Sequence, residues 1–299
     1  MNKKFTNYLI LYLSFLFFIS IFVLYTKHNV GNDSTISEWL INYSGGFTKR
    51  GIIGEISIFF SRLFDQNLRD VIYIFQLSVI GIYYILIYLF FKNLYLERYF
   101  LLSIFSPIFL IYPVAEIEVL ARKEVFIFIL FILHTIISTL NNNLKRISKL
   151  IILPLSILIW EPVVFFLPLW IFIDLVNLKE KNYKINLFNE LIFYFPGLLI
   201  AIIFIINPLT PEEHFQMEQV LKNEFKEICY MSCALLKNKS SIYQQFEANL
   251  GKYSLEVFVR YFLIILIGFG PLFTLVYYSR LKIEKNIFPK NINLISIFL

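Results

Sequence analysis

Long apolar runs separated by short polar stretches fill the chain, and their lengths are those of bilayer-spanning helices rather than of strands. The first run, Phe5–Tyr25, follows Met1-Asn2-Lys3-Lys4 and has no small-x-small cleavage site, so it reads as a first transmembrane helix rather than a signal peptide. Further runs lie at Val71–Phe91, Tyr99–Val114 (with Pro107 and Pro113 as kink points), Val125–Leu140, Leu191–Pro208 and Val257–Ser279. The run Leu150–Val176 is interrupted by Trp160-Glu161-Pro162 and fits either one long kinked helix or two short helices in a hairpin. Lys179, Lys181 and Lys184 after it favour the hairpin, which places Glu161 at a tip open to the outer side. Residues 291–299 read as the start of another span, the expectation being a chain that continues. The fold expected is all-α, a polytopic transmembrane bundle with about eight crossings, 1–299 forming one integral-membrane domain and 210–255 an outer soluble segment.

Between the first two spans the pattern changes. Thr35-Ile36-Ser37-Glu38 fits a capping box, and Ile36, Trp39, Leu40 and Tyr43 recur on one helical face. This predicts a short helix along the membrane surface with Trp39 at headgroup level. Ile52–Phe64 is short for a span; Ile52, Ile56, Phe59 and Leu63 form its apolar stripe, and it reads as a second interfacial helix.

Composition agrees. Of 299 residues 58% are hydrophobic and 16% charged, against roughly 25% charged in soluble domains. The mean hydropathy is +0.70. The net charge of +6 is not a nucleic-acid signal: cations outnumber carboxylates in the segments assigned inside, and carboxylates outnumber cations outside. This asymmetry puts the N-terminus, with Lys3 and Lys4, in the cytoplasm. Two cysteines and three histidines leave little room for a metal cluster, and no metal or cofactor is expected. Cys229 and Cys233 fall in an outer segment where a disulfide is chemically allowed, although i, i+4 spacing on an unbroken helix suits one badly. His134, within a span, reads as a packed residue rather than a ligand. The P-loop, zinc-protease and serine-hydrolase signatures are absent from the sequence, so those chemistries lose support.

The densest polar constellation is residues 42–55, Asn-Tyr-Ser-Gly-Gly-Phe-Thr-Lys-Arg-Gly-Ile-Ile-Gly-Glu. Gly45 and Gly46 offer close backbone approach, Lys49 and Arg50 two cations suited to phosphate, and Glu55 a carboxylate on the next element. The plainer alternative is a turn whose cations touch lipid headgroups. Asp33, Glu38, Arg122, Lys123 and Glu161 fall on the same side of the expected topology. Cations there would hold phosphate and stabilise a leaving group, and one of Asp33, Glu38, Glu55 or Glu161 would take an acceptor proton. Each has a structural alternative: Glu38 in the capping box, Arg122 in a helix-surface pair with Glu118, Glu161 as a solvated tip.

Three patterns carry a resemblance. Residues 37–55 resemble a GGFVRRGLxGE pattern of bacterial multi-pass proteins encoded with surface-polysaccharide genes, with Thr48 and Lys49 where Val and Arg are usual. Ala121-Arg122-Lys123-Glu124 resembles GRKE, with Ala121 for Gly, and Ile159-Trp160-Glu161-Pro162 resembles IHE, with Trp160 for His. Such proteins are similar to Wzy- or EpsG-type polymerases and to GT-C membrane glycosyltransferases. The resemblance implies glycosyl transfer or polymerisation on a polyprenyl-(pyro)phosphate-linked glycan at the periplasmic face of the bacterial inner membrane. A lipid-linked glycan flippase and a non-catalytic assembly subunit remain alternatives, and no GT-C motif matches residue by residue.

Overall fold

The computed structural model describes residues 3–30, 34–91, 120–140, 142–176, 191–237, 254–260, 262, 263 and 266. The described residues are helices joined by turns, with no strand among them. In order they form α1 (Lys3–Val30), α2 (Ser34–Trp39), α3 (Gly51–Phe64), α4 (Leu68–Phe91), α5 (Glu124–Leu140), α6 (Asn142–Ile159), a 3₁₀ turn (Glu161–Phe166), α7 (Leu167–Val176), α8 (Phe195–Ile206) and α9 (Pro211–Phe225), then a short 3₁₀ turn (Ala234–Lys237). These elements lie in one compact unit, and residues 254–266, helical at 255–260, belong to a second. The expected span at 99–114, the loop 177–190 and the basic tail from 280 lie outside the described residues, as do Asp33 and Glu118.

Two helices, α1 over Thr6–Asn29 and α4 over Leu68–Leu89, are long and apolar enough to cross a membrane. They pack together. Leu9, Leu13, Leu16, Ser20 and Leu24 recur at helical spacing on the buried face of α1, while Leu11, Phe15, Phe18 and Phe22 stand outward, each more than 60% exposed. An apolar face that wide suits a hydrocarbon solvent rather than water.

Helix α3 makes the same point. Its buried residues are Gly51, Ile53, Gly54, Ser57, Ile58 and Ser61. The apolar stripe turns outward, with Phe59 and Leu63 well exposed. Where the surrounding solvent is as apolar as leucine, small residues that permit close approach line the interface instead. A Cβ on Gly54 would lie 2.0 Å from the Ile41 carbonyl oxygen, so α3 seats directly on the backbone after α2.

Helix α2 forms near its expected place but is embedded rather than surface-lying. Ile36, Ser37, Glu38 and Trp39 are all buried, and the Trp39 indole donates to the Ala121 carbonyl at 3.0 Å. Glu38 does not close a capping box; its carboxylate turns to Arg122 and Arg50.

The interrupted run 150–176 takes the hairpin form. Helices α5 and α6 are antiparallel neighbours, with His134 Nδ1 3.2 Å from Ser148 Oγ. Backbone reversal begins at Trp160 (φ −155°, ψ 100°), since Pro162 has no N–H with which to continue α6. Trp170 then returns against Phe131 and His134, ring centroids 5.5 and 4.8 Å away, so the chain runs back along α5. Glu161 therefore sits at the tip, beside the start of α5.

Within the segment after α8, helix α9 begins in a complete Thr210–Glu213 capping box and ends at Lys226 in a left-handed conformation. Helices α8 and α9 meet at a 100° bend. Ending the helix at residue 225 frees the backbone of Cys229 and Cys233, which form a disulfide across a Cα separation of 5.3 Å. Two ion pairs, Arg62–Glu224 and Arg69–Glu227, tie this end of α9 to the α3–α4 corner.

The close seat of α3 sets a differential test. Gly54→Ala is expected to destabilise the detergent-solubilised protein by about 1–3 kcal/mol through overpacking. Gly81→Ala, whose added Cβ would meet only the Phe17 ring at 3.4 Å, is expected to be neutral or stabilising. Thermal unfolding of the two variants beside wild type measures the difference.

Candidate functional site

Residues from four separate stretches meet at one end of α5 and α6. Glu38 comes from α2, Lys49 and Arg50 from the turn before α3, Arg122 and Lys123 from the turn before α5 with Glu124 opening that helix, and Glu161 from the hairpin tip. Three anchors hold the stretches together. The Trp39 indole binds the Ala121 carbonyl, the Lys123 ammonium donates to the Arg50 carbonyl, and the Arg50 guanidinium grips Glu161.

The Arg50–Glu161 contact is bidentate: Nε donates to Oε2 at 2.8 Å and NH2 to Oε1 at 3.0 Å. Paired N–H groups matched to two carboxylate oxygens fix orientation as well as distance, which a lysine cannot do. The third guanidinium nitrogen of Arg50, NH1, lies 3.6 Å from Glu38 Oε1. That oxygen also accepts from Arg122 NH2 at 2.7 Å, and Arg122 NH2 lies 3.0 Å from Glu124 Oε1. Lys49 approaches Glu161 Oε1 at 3.5 Å and is the most exposed of the four cations. The result is a chain of alternating charge, Lys49–Glu161–Arg50–Glu38–Arg122–Glu124, with Lys123 buried behind it.

Local backbone geometry explains how adjacent residues reach different partners. Arg50 has φ 64° and Ala121 φ 59°, both left-handed. At Ala121 this is a conformation that glycine adopts without the penalty an L side chain meets. The turn before Arg50 is braced by its own hydrogen bonds. Ser44 N–H donates to Asn42 Oδ1 at 2.8 Å, and Tyr43 N–H donates to Glu55 Oε2 at 3.0 Å.

Those bonds separate the sequence candidates. Glu38, Lys49, Arg50, Arg122, Lys123 and Glu161 are brought together. Glu55 instead caps the backbone of the turn at Tyr43. Gly45 and Gly46 lie against α9: a Cβ on Gly45 would fall 1.9 Å from the Glu213 carbonyl oxygen, and one on Gly46 3.1 Å from its carboxylate. Space opened by these two glycines is filled by protein. Glu124 joins the cluster on Arg122; it was not a catalytic or binding candidate, but its place directly after Arg122-Lys123 marks it as a counter-charge to the cations. Trp39 was read as an interfacial anchor, and nothing in a lone tryptophan signals a long-range hydrogen bond.

Electrostatics follow from burial. Lys123 is fully buried, and loss of hydration pushes its pKa from 10.5 down to about 7, with Arg50 adding to the depression and Glu38 opposing it. Burial alone would raise the Glu161 pKa, but the Arg50 hydrogen bonds and the charges of Arg50 and Lys49 hold it below its ordinary value. Burial likewise works against the Arg50 charge and is outweighed by Glu161. Glu38 Oε2, Arg122 Nε and Glu124 Oε2 are buried with no hydrogen-bond partner among the described residues. Buried polar atoms of this kind mark places where water or a polar ligand group belongs. While Lys123 is protonated, four cations face three carboxylates, and the excess positive charge lets the cluster accept an anion and hold an ionised carboxylate beside it; once Lys123 is neutral the charges balance.

No family model, curated protein or solved structure matches this chain.

Two measurements probe the network. In a double-mutant cycle of Arg50→Ala and Glu161→Ala, the two losses in stability are expected to be non-additive by about 0.5–3 kcal/mol, and additive losses would deny the contact. The pH dependence has two limbs. A depressed Glu161 contributes stability above the ordinary carboxylate range, lost as pH falls through the folded value, so Glu161→Gln should flatten the acid limb. For Lys123 the folded protein releases its proton near 7 while the unfolded chain keeps it to 10.5, so stability should rise with pH across that window, less so in Lys123→Met.

Proposed function

We propose that this chain transfers or polymerises sugar units on a polyprenyl-(pyro)phosphate-linked glycan, at the outer face of a bacterial inner membrane. The single observation that carries the reading is the convergence of Lys49-Arg50, Arg122-Lys123 and Glu161: three patterns remote in sequence make one charged cluster. The two spanning helices supply the membrane setting. In the proposed topology of about eight crossings the N-terminus is cytoplasmic and the cluster faces the periplasm.

In the reaction, the acceptor hydroxyl oxygen bonds to the anomeric carbon as the bond from that carbon to the phosphate oxygen breaks. The electron pair leaves on the phosphate, and the hydroxyl proton passes to a carboxylate. Glu161 is the best placed of the candidate carboxylates, being ionised and about one-fifth exposed, whereas Glu38 is almost wholly buried. Lys49, at one end of the charge chain, and Arg122, next to the Glu124 that ends the other, take the phosphate; Arg50 orients Glu161, and Glu38 separates the two guanidiniums.

One observation favours a second reading. Each of the four cations already meets a protein oxygen, as a purely structural clasp in a non-catalytic assembly subunit would require. Complementation of a deletion strain separates these readings. Loss of the protein is expected to leave short lipid-linked units on the outer face, and Arg50→Lys and Glu161→Gln, expressed at wild-type level, are expected to restore less than a tenth of the polymer. Full restoration by both variants would favour the clasp, and units trapped on the inner face would indicate a flippase.

A further inference from the structure

The chain after α9 carries a second chemical group. Cys229 and Cys233 are joined, and both lie in irregular backbone between Lys226 and the 3₁₀ turn at Ala234–Lys237. A cross-link four residues long closes a very small loop, and the stabilisation a disulfide supplies grows with the length of loop it closes. As a staple this one is poorly placed. Its surroundings are more specific. His214, from the first turn of α9, is fully buried, with Nε2 3.6 Å from Cys229 Sγ and 3.1 Å from the Cys233 carbonyl oxygen. On the other side of the ring, Nδ1 faces Glu218 Oε2 at 3.8 Å. Carboxylate, imidazole and sulfur thus stand in line.

Access is one-sided. A surface concavity of about 280 Å³, walled by Phe215, Glu218, Lys222, Glu227 and Ile228, has Cys229 in its lining, while Cys233 is fully buried. We propose that Cys229–Cys233 is a thiol–disulfide exchange site, with Cys229 the sulfur attacked through this concavity by a protein dithiol and His214 the group that steadies Cys229 as a thiolate. The partner's thiolate sulfur bonds to Cys229 Sγ while the Cys229–Cys233 bond breaks, and the electron pair leaves on Cys233, which takes a proton. The partner's second thiolate then attacks its own sulfur in the mixed disulfide and releases Cys229 as a thiolate beside the imidazole. The pair gains two electrons and one proton, with Cys233 ending as a thiol and Cys229 as a thiolate, and the partner dithiol, its protons released, becomes a disulfide. An imidazole next to a sulfur is the kind of neighbour that favours its thiolate form, and the better leaving group departs faster.

The test uses the full-length protein in detergent. Cys233→Ser, leaving Cys229 alone, is expected to form a mixed disulfide with glutathione disulfide in the folded state, and Cys229→Ser is expected not to. After reduction of wild type with dithiothreitol, alkylation of Cys229 at neutral pH should be roughly tenfold faster than in His214→Gln. Equal labelling of the two single-cysteine variants, or reduction of the wild-type pair only on unfolding, would overturn the proposal. Retention of added zinc by the reduced protein would also overturn it, by showing His214, Cys229 and Cys233 to be a metal site instead. The single-cysteine comparison stands even where His214→Gln does not fold.

Discussion

The ion pair between Arg50 and Glu161 is the contact on which the arrangement depends. It joins residues 111 positions apart and uses both oxygens of the carboxylate. Without it, the turn before α3 and the hairpin tip share no other salt bridge than the more exposed Lys49–Glu161 contact among the described residues. Two partly buried charges of opposite sign tolerate each other's desolvation, whereas either alone would be strongly disfavoured. The cluster is therefore assembled together or not at all: Arg50 needs Glu161, its carbonyl needs Lys123, and its remaining nitrogen faces the carboxylate that also holds Arg122.

The same constraint runs through the packing. With apolar surface satisfied by an apolar solvent, burial is directed by small side chains and polar contacts. Gly54 on the Ile41 backbone, Ser57 and Ser61 toward the interior, and Gly45 against α9 bring backbones close enough for the site-bearing turns to meet. Large phenylalanines on α1 and α3 stand on the outside.

Much of this was legible in the sequence, for identifiable reasons. Helical spans are announced by the length of apolar runs, and the helix break by Trp160-Glu161-Pro162, because proline cannot continue a hydrogen-bond ladder. Side-of-membrane reasoning from lysines favoured the hairpin form, and the return of Trp170 along α5 is that form. Other features were not legible. Thr35-Ile36-Ser37-Glu38 has the letters of a capping box, yet Glu38 bonds across the fold to Arg122, since a half-buried guanidinium offers a carboxylate more than a local backbone N–H does. Gly45 and Gly46 have the letters of a ligand-binding turn, and only the approach of Glu213 from far along the chain reveals what fills their space. A Cys229–Cys233 bridge stayed open because an unbroken helix there would have suited it badly, and His214 gave no sign of meeting Cys229.

The proposed role of the cluster is phosphate handling, and ligand-induced stabilisation tests that most directly. Thermal unfolding of the purified protein would be followed with a short-chain prenyl pyrophosphate and with the matching prenyl alcohol. The account predicts stabilisation by the pyrophosphate, of about 2.7 kcal/mol at a hundred times its dissociation constant. Screening by salt should weaken it, Arg122→Gln should reduce it, and the alcohol should not reproduce it. Equal shifts with pyrophosphate and alcohol, or a pyrophosphate shift unchanged in Arg122→Gln, would contradict it.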